Sequence, residues 1–143
     1  MTRLMAVLGI AGLIPFVVAS LMYLTQISLT GFAPQQLFVT YSAVILAFLT
    51  GSLWGRETHA LQNHIHDWVM AVSNLLCLMA WASLLVGHLS VTLWMLMLGY
   101  IATLLVERRQ AKLIGIEPDY LKLRLGLTSV AVVCHGLMLV GGG

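Results

Sequence analysis

The sequence predicts an all-α integral membrane protein: a bundle of five transmembrane helices with a cytoplasmic N-terminus and a periplasmic C-terminus. Three observations lead to this prediction. Of the 143 residues, 60% are hydrophobic and 8% are charged, whereas about 25% of a soluble domain is charged. The apolar residues form five long runs separated by short polar segments. When these runs are taken as membrane spans, all charged side chains fall on one side of the membrane.

The five runs have the length that a bilayer requires. A hydrocarbon core about 30 Å thick is crossed by roughly 20 apolar residues in a helix. The runs are continuously apolar rather than alternating, which favours helices over the strands of a closed barrel. We therefore expect a single transmembrane domain over residues 1–143, with spans at about 4–24, 36–54, 68–86, 90–106 and 121–140.

The first span carries a predicted kink. Pro15 lies inside the run and has no backbone N–H, so it removes one helical hydrogen bond. A signal peptide is the alternative for this segment. The length of the run and the proline within it favour a retained helix.

Small residues in the first two spans predict sites of helix packing. Lipid is as apolar as a leucine side chain, so helices in a membrane associate where small residues allow their backbones to approach. The second span has three such residues at four-residue spacing, and the first has two. The predicted contact positions are Gly9, Gly12, Ala43, Ala47 and Gly51.

The connections between the spans decide the orientation. Residues 25–35 and the turn at Gly87–His88 carry no charge, whereas residues 55–67 and 107–120 carry most of the charge in the chain. Basic residues near span ends mark the cytoplasmic side. All seven lie on the side of the N-terminus: Arg3, Arg56, Arg108, Arg109, Lys112, Lys122 and Arg124.

A histidine-rich connection at residues 57–67 is a candidate metal site. His59, His64 and His66, together with Glu57 and Asp67, supply enough ligands for a divalent ion. The spacing matches no established metal motif. An interfacial loop with solvated histidines is the interpretation that we favour.

A second histidine pair suggests haem. His88 and His135 both lie toward the outer side of the predicted bundle, and two axial histidines suffice for ligation. Many membrane proteins would meet this criterion, so a histidine that packs between helices is the favoured interpretation for His135. We predict no cofactor, no catalytic constellation and no nucleic-acid binding, because the phosphate-loop, nucleophile-elbow and nucleic-acid motifs are missing from the sequence.

Four stretches together resemble domain-of-unknown-function family 3429, whose eukaryotic members are called transmembrane protein 69. They are LGIAGLIPF at residues 8–16, YSAVILAFLTGSLWG at 41–55, PDYL at 118–121 and LRLGLT at 123–128. The resemblance implies a small multi-pass protein of bacterial inner membranes, with relatives in mitochondria. It implies no established activity and assigns no catalytic residue.

The sequence leaves three classes of function open. The expected one is an accessory, assembly or structural subunit of a larger membrane complex, such as a respiratory complex, that contacts other integral subunits through its helix faces. The first alternative is a metal- or haem-binding membrane protein that uses the histidines above. The second is a small oligomeric channel or carrier, although no Asp, Glu, Lys or Arg lies near the middle of a predicted span.

Overall fold

The computed structural model describes residues 3–27, 31–59 and 67–141, and within these ranges it contains helices, turns and no strand. This confirms the predicted all-α class. The helices of the described chain are α1 (Arg3–Ala11), α2 (Ile14–Thr25), α3 (Pro34–His59), α4 (Asp67–Ser83), α5 (Leu89–Ile114) and α6 (Pro118–Gly141).

Four helical segments are long and apolar enough to cross a membrane. These are α1 together with α2 (Arg3–Thr25), most of α3 (Pro34–Thr58), α5 and α6. Helix α4 is also apolar but has 17 residues, which corresponds to about 25 Å at the helical rise. The chain is therefore a multi-pass membrane protein, and each of the five predicted spans overlaps one of these four segments or α4.

The structure differs from the prediction at the two charged connections. Residues 107–120 were expected to form a long connection, but α5 continues to Ile114 and α6 begins at Pro118. The physical reason is that no glycine or proline interrupts residues 100–114 and that Glu107 is fully buried between helices. Likewise, α3 continues beyond the predicted end at residue 54 to His59.

Helices α1 and α2 are separated by a short interruption. Helix α1 ends at Ala11, and Pro15 is the second residue of α2. Because proline has no N–H, the carbonyl of Ala11 lacks its usual helical donor. The hydroxyl of Tyr41 on α3 donates to the neighbouring carbonyl of Gly12 at 2.7 Å. The first membrane segment is thus two helices joined at a point that α3 supports.

The bundle is organised around α3, which packs against α2, α4 and α5, while α6 packs against α5 and α2. Side chains of α3 and α4 pack directly against Gly99 of α5. A Cβ atom there would lie 2.6 Å from Leu46 Cδ2 and 2.9 Å from Met79 Cε. Helix α1 makes its main contact with α6 and has no buried residue.

Candidate functional site

A network of charged and polar side chains joins α3, α5 and α6 at one end of the bundle. At its centre lies Glu107 of α5, which is fully buried. Arg56 Nη2 donates to Glu107 Oε2 at 2.5 Å, and Arg124 Nε donates to Glu107 Oε1 at 2.9 Å. One carboxylate therefore pairs with two guanidinium groups, one from the end of α3 and one from the first turns of α6.

Gln110 extends this network along α5. Its side-chain oxygen accepts from Arg56 Nε at 3.0 Å. Its Nε2 donates to the carbonyl of Leu53 and to Glu57 Oε2, both at 2.9 Å. Since Gln110 and Glu57 are fully buried, these bonds supply the partners that buried polar groups require.

Tyr120 covers the more accessible of the two arginines. Its hydroxyl accepts from Arg56 Nη1 at 3.3 Å, and the Arg56 guanidinium lies 5.6 Å from the centre of the tyrosine ring. We call this set of residues the charged network: Arg56, Glu57, Glu107, Gln110, Tyr120 and Arg124. Two acidic and two basic side chains make it formally neutral.

Arg124 has a donor that the rest of the network does not use. The residue is 4% exposed. Nε pairs with Glu107, and Nη1 donates to the hydroxyl of Thr128 at 3.2 Å. Nη2 is buried and makes no hydrogen bond to any residue that the structure describes. A buried donor without a partner is unfavourable and marks this guanidinium as a position where a ligand would be stabilised.

A cavity of about 480 Å³ borders Arg124. It lies between α1, the start of α2, α3 and α6, and its lining is mainly apolar. The polar groups along its wall include Ser52, Tyr120, Arg124 and Thr128, while Phe16 and Tyr100 are aromatic groups of its lining. The cavity thus combines an apolar compartment with a buried cation.

A second polar cluster lies inside the bundle, next to the ring of Phe16. His135 of α6 is fully buried. Its Nδ1 lies 2.6 Å from the carbonyl of Ala131, and its Nε2 lies 2.7 Å from Ser42 Oγ. Because a carbonyl only accepts, Nδ1 carries a proton, and in the neutral ring Nε2 accepts from the Ser42 hydroxyl.

Tyr100 completes this cluster by donating its hydroxyl to the carbonyl of Ser42 at 2.7 Å. We call Ser42, Tyr100 and His135 the neutral triad. Aromatic rings surround it: the centroids of Phe38 and Tyr100 lie 4.8 Å and 5.3 Å from that of His135. The geometry joins α3, α5 and α6 without a formal charge.

A family model described as "Protein of unknown function (DUF3429)" matches residues 1–140. The chain belongs to the DUF3429 family. This confirms the resemblance found in the sequence. No curated protein and no solved structure matches the chain.

The stretches that carry the DUF3429 resemblance meet around the cavity. Each of the four stretches, at residues 8–16, 41–55, 118–121 and 123–128, contributes at least one residue to the lining of the cavity. The remaining lining residues are Met5, Tyr100 and Ala131. Segments that are far apart in the sequence therefore build one compartment, which makes the cavity the candidate functional site of this chain.

The predicted packing residues take different positions. A Cβ atom on Gly9 would lie 3.1 Å from Leu127 Cδ1, so Gly9 faces α6, and Gly12 lies beside the Tyr41 hydroxyl. Ala43 is buried and Ala47 is half-buried. Gly51 is exposed, and a Cβ atom there would meet nothing within 4 Å. Gly51 therefore faces away from the described helices of this chain, and its predicted role in helix packing remains a prediction.

The structure describes the predicted histidine site only in part. His59 is the last residue of α3, while His64 and His66 lie outside the described residues. Within residues 3–27, 31–59 and 67–141, no group of three or more His, Cys, Asp or Glu side chains could hold a metal ion. Metal binding by His59, His64 and His66 remains a prediction.

The proposed haem pair is divided between two environments. His88 is exposed at the residue before α5, whereas both ring nitrogens of His135 have hydrogen-bond partners within the bundle. Axial ligation by His135 would require the loss of its bond to Ser42 or to Ala131. The arrangement is that of a histidine that packs between helices.

Sequence reasoning assigned Glu107 to a charged connection, treated Arg124 only as a basic residue near the end of the fifth span, and missed the charged network. A signal was nevertheless present. Thr103, Glu107 and Gln110 recur at spacings of four and three residues, which places them on one face of a continuous helix. All three are fully buried. The same spacing relates Arg124 and Thr128 to buried residues further along α6.

Proposed function

We propose that this DUF3429-family protein is a non-enzymatic accessory or structural subunit of a larger assembly in the bacterial inner membrane. The observation that supports this proposal most directly is how little of the described chain lies outside its helices. Three residues connect α5 to α6, and five connect α4 to α5. Contacts with other proteins would therefore be mainly lateral, through the helix faces.

The charged network supports a scaffold role. A buried carboxylate between two arginines ties together the ends of three helices, since Arg56, Glu107 and Arg124 come from α3, α5 and α6. Breaking such an arrangement leaves an uncompensated charge, so the three helices resist separation at this end. A rigid bundle of this kind can hold a neighbouring subunit in a fixed position.

The proposed orientation follows from the same end of the molecule. The network draws together the basic ends of α3, α5 and α6, and basic residues near spans favour the cytoplasmic side. We therefore propose that the N-terminus is cytoplasmic. The family resemblance to proteins of bacterial and mitochondrial membranes makes a respiratory complex the first assembly to examine, by association with the membrane rather than by a shared activity.

Gentle purification from native membranes tests the proposal. The tagged full-length chain, extracted in a mild detergent, should migrate in native gels with a larger complex, and mass spectrometry should identify constant partners. If the protein migrates alone under conditions that preserve other membrane complexes, the proposal fails. A reporter enzyme that works only in the periplasm should be active when it is fused after Gly143.

Tryptophan substitutions on exposed positions would then locate the lateral contact. Leu75 of α4, Leu105 of α5 and Val133 of α6 are 66%, 59% and 60% exposed, so the isolated fold should tolerate a larger side chain at each. Loss of the partner from one variant and its retention in the other two would identify the contacting face. Loss from all three with reduced protein levels would indicate misfolding instead.

A further inference from the structure

We propose that the cavity beside Arg124 binds one anionic phospholipid, with a phosphate oxygen at the guanidinium and an acyl chain in the apolar part. The proposal is independent of the accessory role above. It rests on two observations at one place: a buried guanidinium with an unpartnered donor and an apolar compartment that this arginine helps to line.

The free edge of the guanidinium has the geometry for an anion. Its Nε side is occupied by Glu107. On the opposite edge, Nη1 donates to the neutral Thr128 hydroxyl at 3.2 Å, and Nη2 has no acceptor among the described residues. Two parallel N–H donors on one edge match a phosphate or carboxylate. Thr128 also lines the cavity, so an oxygen entering from it can replace the threonine hydroxyl as the acceptor.

The rest of the cavity suits an alkyl chain. Leu8 of α1, Leu49 of α3 and Leu127 of α6 contribute apolar walls. From Arg124 to Ala131 the lining follows seven residues of α6, a length of about 10 Å at the helical rise. The volume of about 480 Å³ lies within the range of roughly 300–1,000 Å³ that small-molecule sites occupy.

Helix α1 leaves the cavity open to a ligand from the membrane. It forms one wall through Leu8 and Gly9, yet none of its residues is buried and its main contact is with α6. A lipid beside α1 can therefore enter laterally. The chain carries a net charge of +2, and Lys122 is exposed on α6 between the cavity residues Tyr120 and Leu123. Both favour a lipid with net negative charge over a zwitterionic one.

Thermal unfolding of the purified full-length protein in detergent micelles tests the proposal, because a ligand that binds the folded state raises its unfolding temperature. Dioleoyl phosphatidylglycerol should raise this temperature more than dioleoyl phosphatidylcholine, which has the same chains without the net charge. Oleate is the third probe. Stabilisation by oleate without stabilisation by phosphatidylglycerol would overturn the phospholipid assignment.

Two matched variants separate cavity binding from general lipid effects. Leu127→Trp fills the cavity while retaining both residues of the Arg124–Glu107 pair, and it should weaken phosphatidylglycerol binding in native mass spectrometry by roughly tenfold or more. Leu125→Trp adds the same side chain at a 44% exposed position of α6 and should bind like wild type. Equal binding by both variants, or equal stabilisation of wild type by both phospholipids, would overturn the proposal.

Arg124→Lys tests the headgroup contact. Lysine retains a positive charge toward Glu107 but lacks the paired donors of the guanidinium edge. The preference for phosphatidylglycerol over phosphatidylcholine should fall by roughly tenfold. An unchanged preference in folded protein would assign the headgroup to another residue, and the Leu127→Trp comparison decides the proposal if this variant does not fold.

Discussion

The charged network and the neutral triad join the same three helices by different chemistry. The ion pairs of the charged network take one residue from each helix, namely Arg56, Glu107 and Arg124. The neutral triad does the same with Ser42, Tyr100 and His135. Formal charges are used only in the first set.

The two sets differ in how they meet the cost of burying polar groups. A charge near the middle of a bilayer is costly, whereas near the interface an arginine can remain partly hydrated. The Arg56 side chain is 24% exposed, but all three members of the neutral triad are almost fully buried. Only Arg56 of the charged set thus reaches the outside of the bundle, whereas Glu107 and Arg124 are as buried as the triad and neutralise each other by pairing. This comparison predicts unequal energetic contributions from the two sets.

The largest effect is expected for Glu107→Gln. The substitution preserves the shape of the side chain but leaves Arg56 and Arg124 without a carboxylate. Removing one partner from a buried ion pair costs about 3–5 kcal/mol. The free energy of unfolding should fall by this amount in mixed-micelle unfolding experiments. The control Asp119→Asn removes an exposed acid at the start of α6 and should change it by no more than about 0.5 kcal/mol. Similar results for the two variants would show that the charged network does not hold the helices.

A smaller effect is expected for Gly99→Leu, which lies next to Tyr100 of the neutral triad. The new side chain would collide with Leu46 and Met79, and overpacking of this kind costs about 1–3 kcal/mol. Gly51→Leu is the matched control on α3, because its added side chain would meet open space. Thermal unfolding of the two variants should separate them clearly. If Gly51→Leu is the more damaging, the close packing of Leu46 and Met79 against Gly99 is not what positions the triad.

The neutral triad itself is tested by Ser42→Ala. The substitution removes the hydroxyl that lies 2.7 Å from His135 Nε2 and should cost about 1–2 kcal/mol, as expected for a polar contact between membrane helices. Ser129→Ala is the control, since Ser129 is exposed and bonds to the carbonyl of Leu125 in its own helix. If Ser42→Ala lowers the free energy of unfolding as much as Glu107→Gln does, the charged network does not stabilise the bundle more than the neutral triad.

The sequence predicted the spans because hydropathy is a local property. No knowledge of tertiary contacts was needed to predict the apolar runs, the interruption near Pro15 or the concentration of charge near the same span ends. The ends of α3 and α5 could not be read in this way. A span predicted from hydropathy ends at the first charged residue, so Arg56 and Glu107 were assigned to the connections that follow the second and fourth spans.

The candidate site was less accessible to sequence reasoning because its contacts are distant in the chain. Arg56 and Glu107 are 51 positions apart, and no local pattern specifies that one will neutralise the other. The cavity is harder still, since it is the space left where α1, α3 and α6 do not fill the bundle. The family stretches pointed to its walls, but only their folded positions show that they face one another.

The smallest effect is expected for Tyr41→Phe, which tests a neutral tie outside the triad. The Tyr41 hydroxyl donates to the carbonyl of Gly12 at the interruption between α1 and α2. Its loss should lower the free energy of unfolding by about 0.6 kcal/mol, a typical value for a polar contact in a membrane bundle. The local effect should be clearer than the global one, because the amides of residues 12–17 should exchange faster with deuterium. Tyr23→Phe removes a hydroxyl from α2 and should leave this exchange unchanged. If Tyr41→Phe also leaves the exchange of these amides unchanged, Tyr41 packs beside the interruption without stabilising it. Stabilisation by uncharged hydrogen bonds between helices would then be limited to the neutral triad.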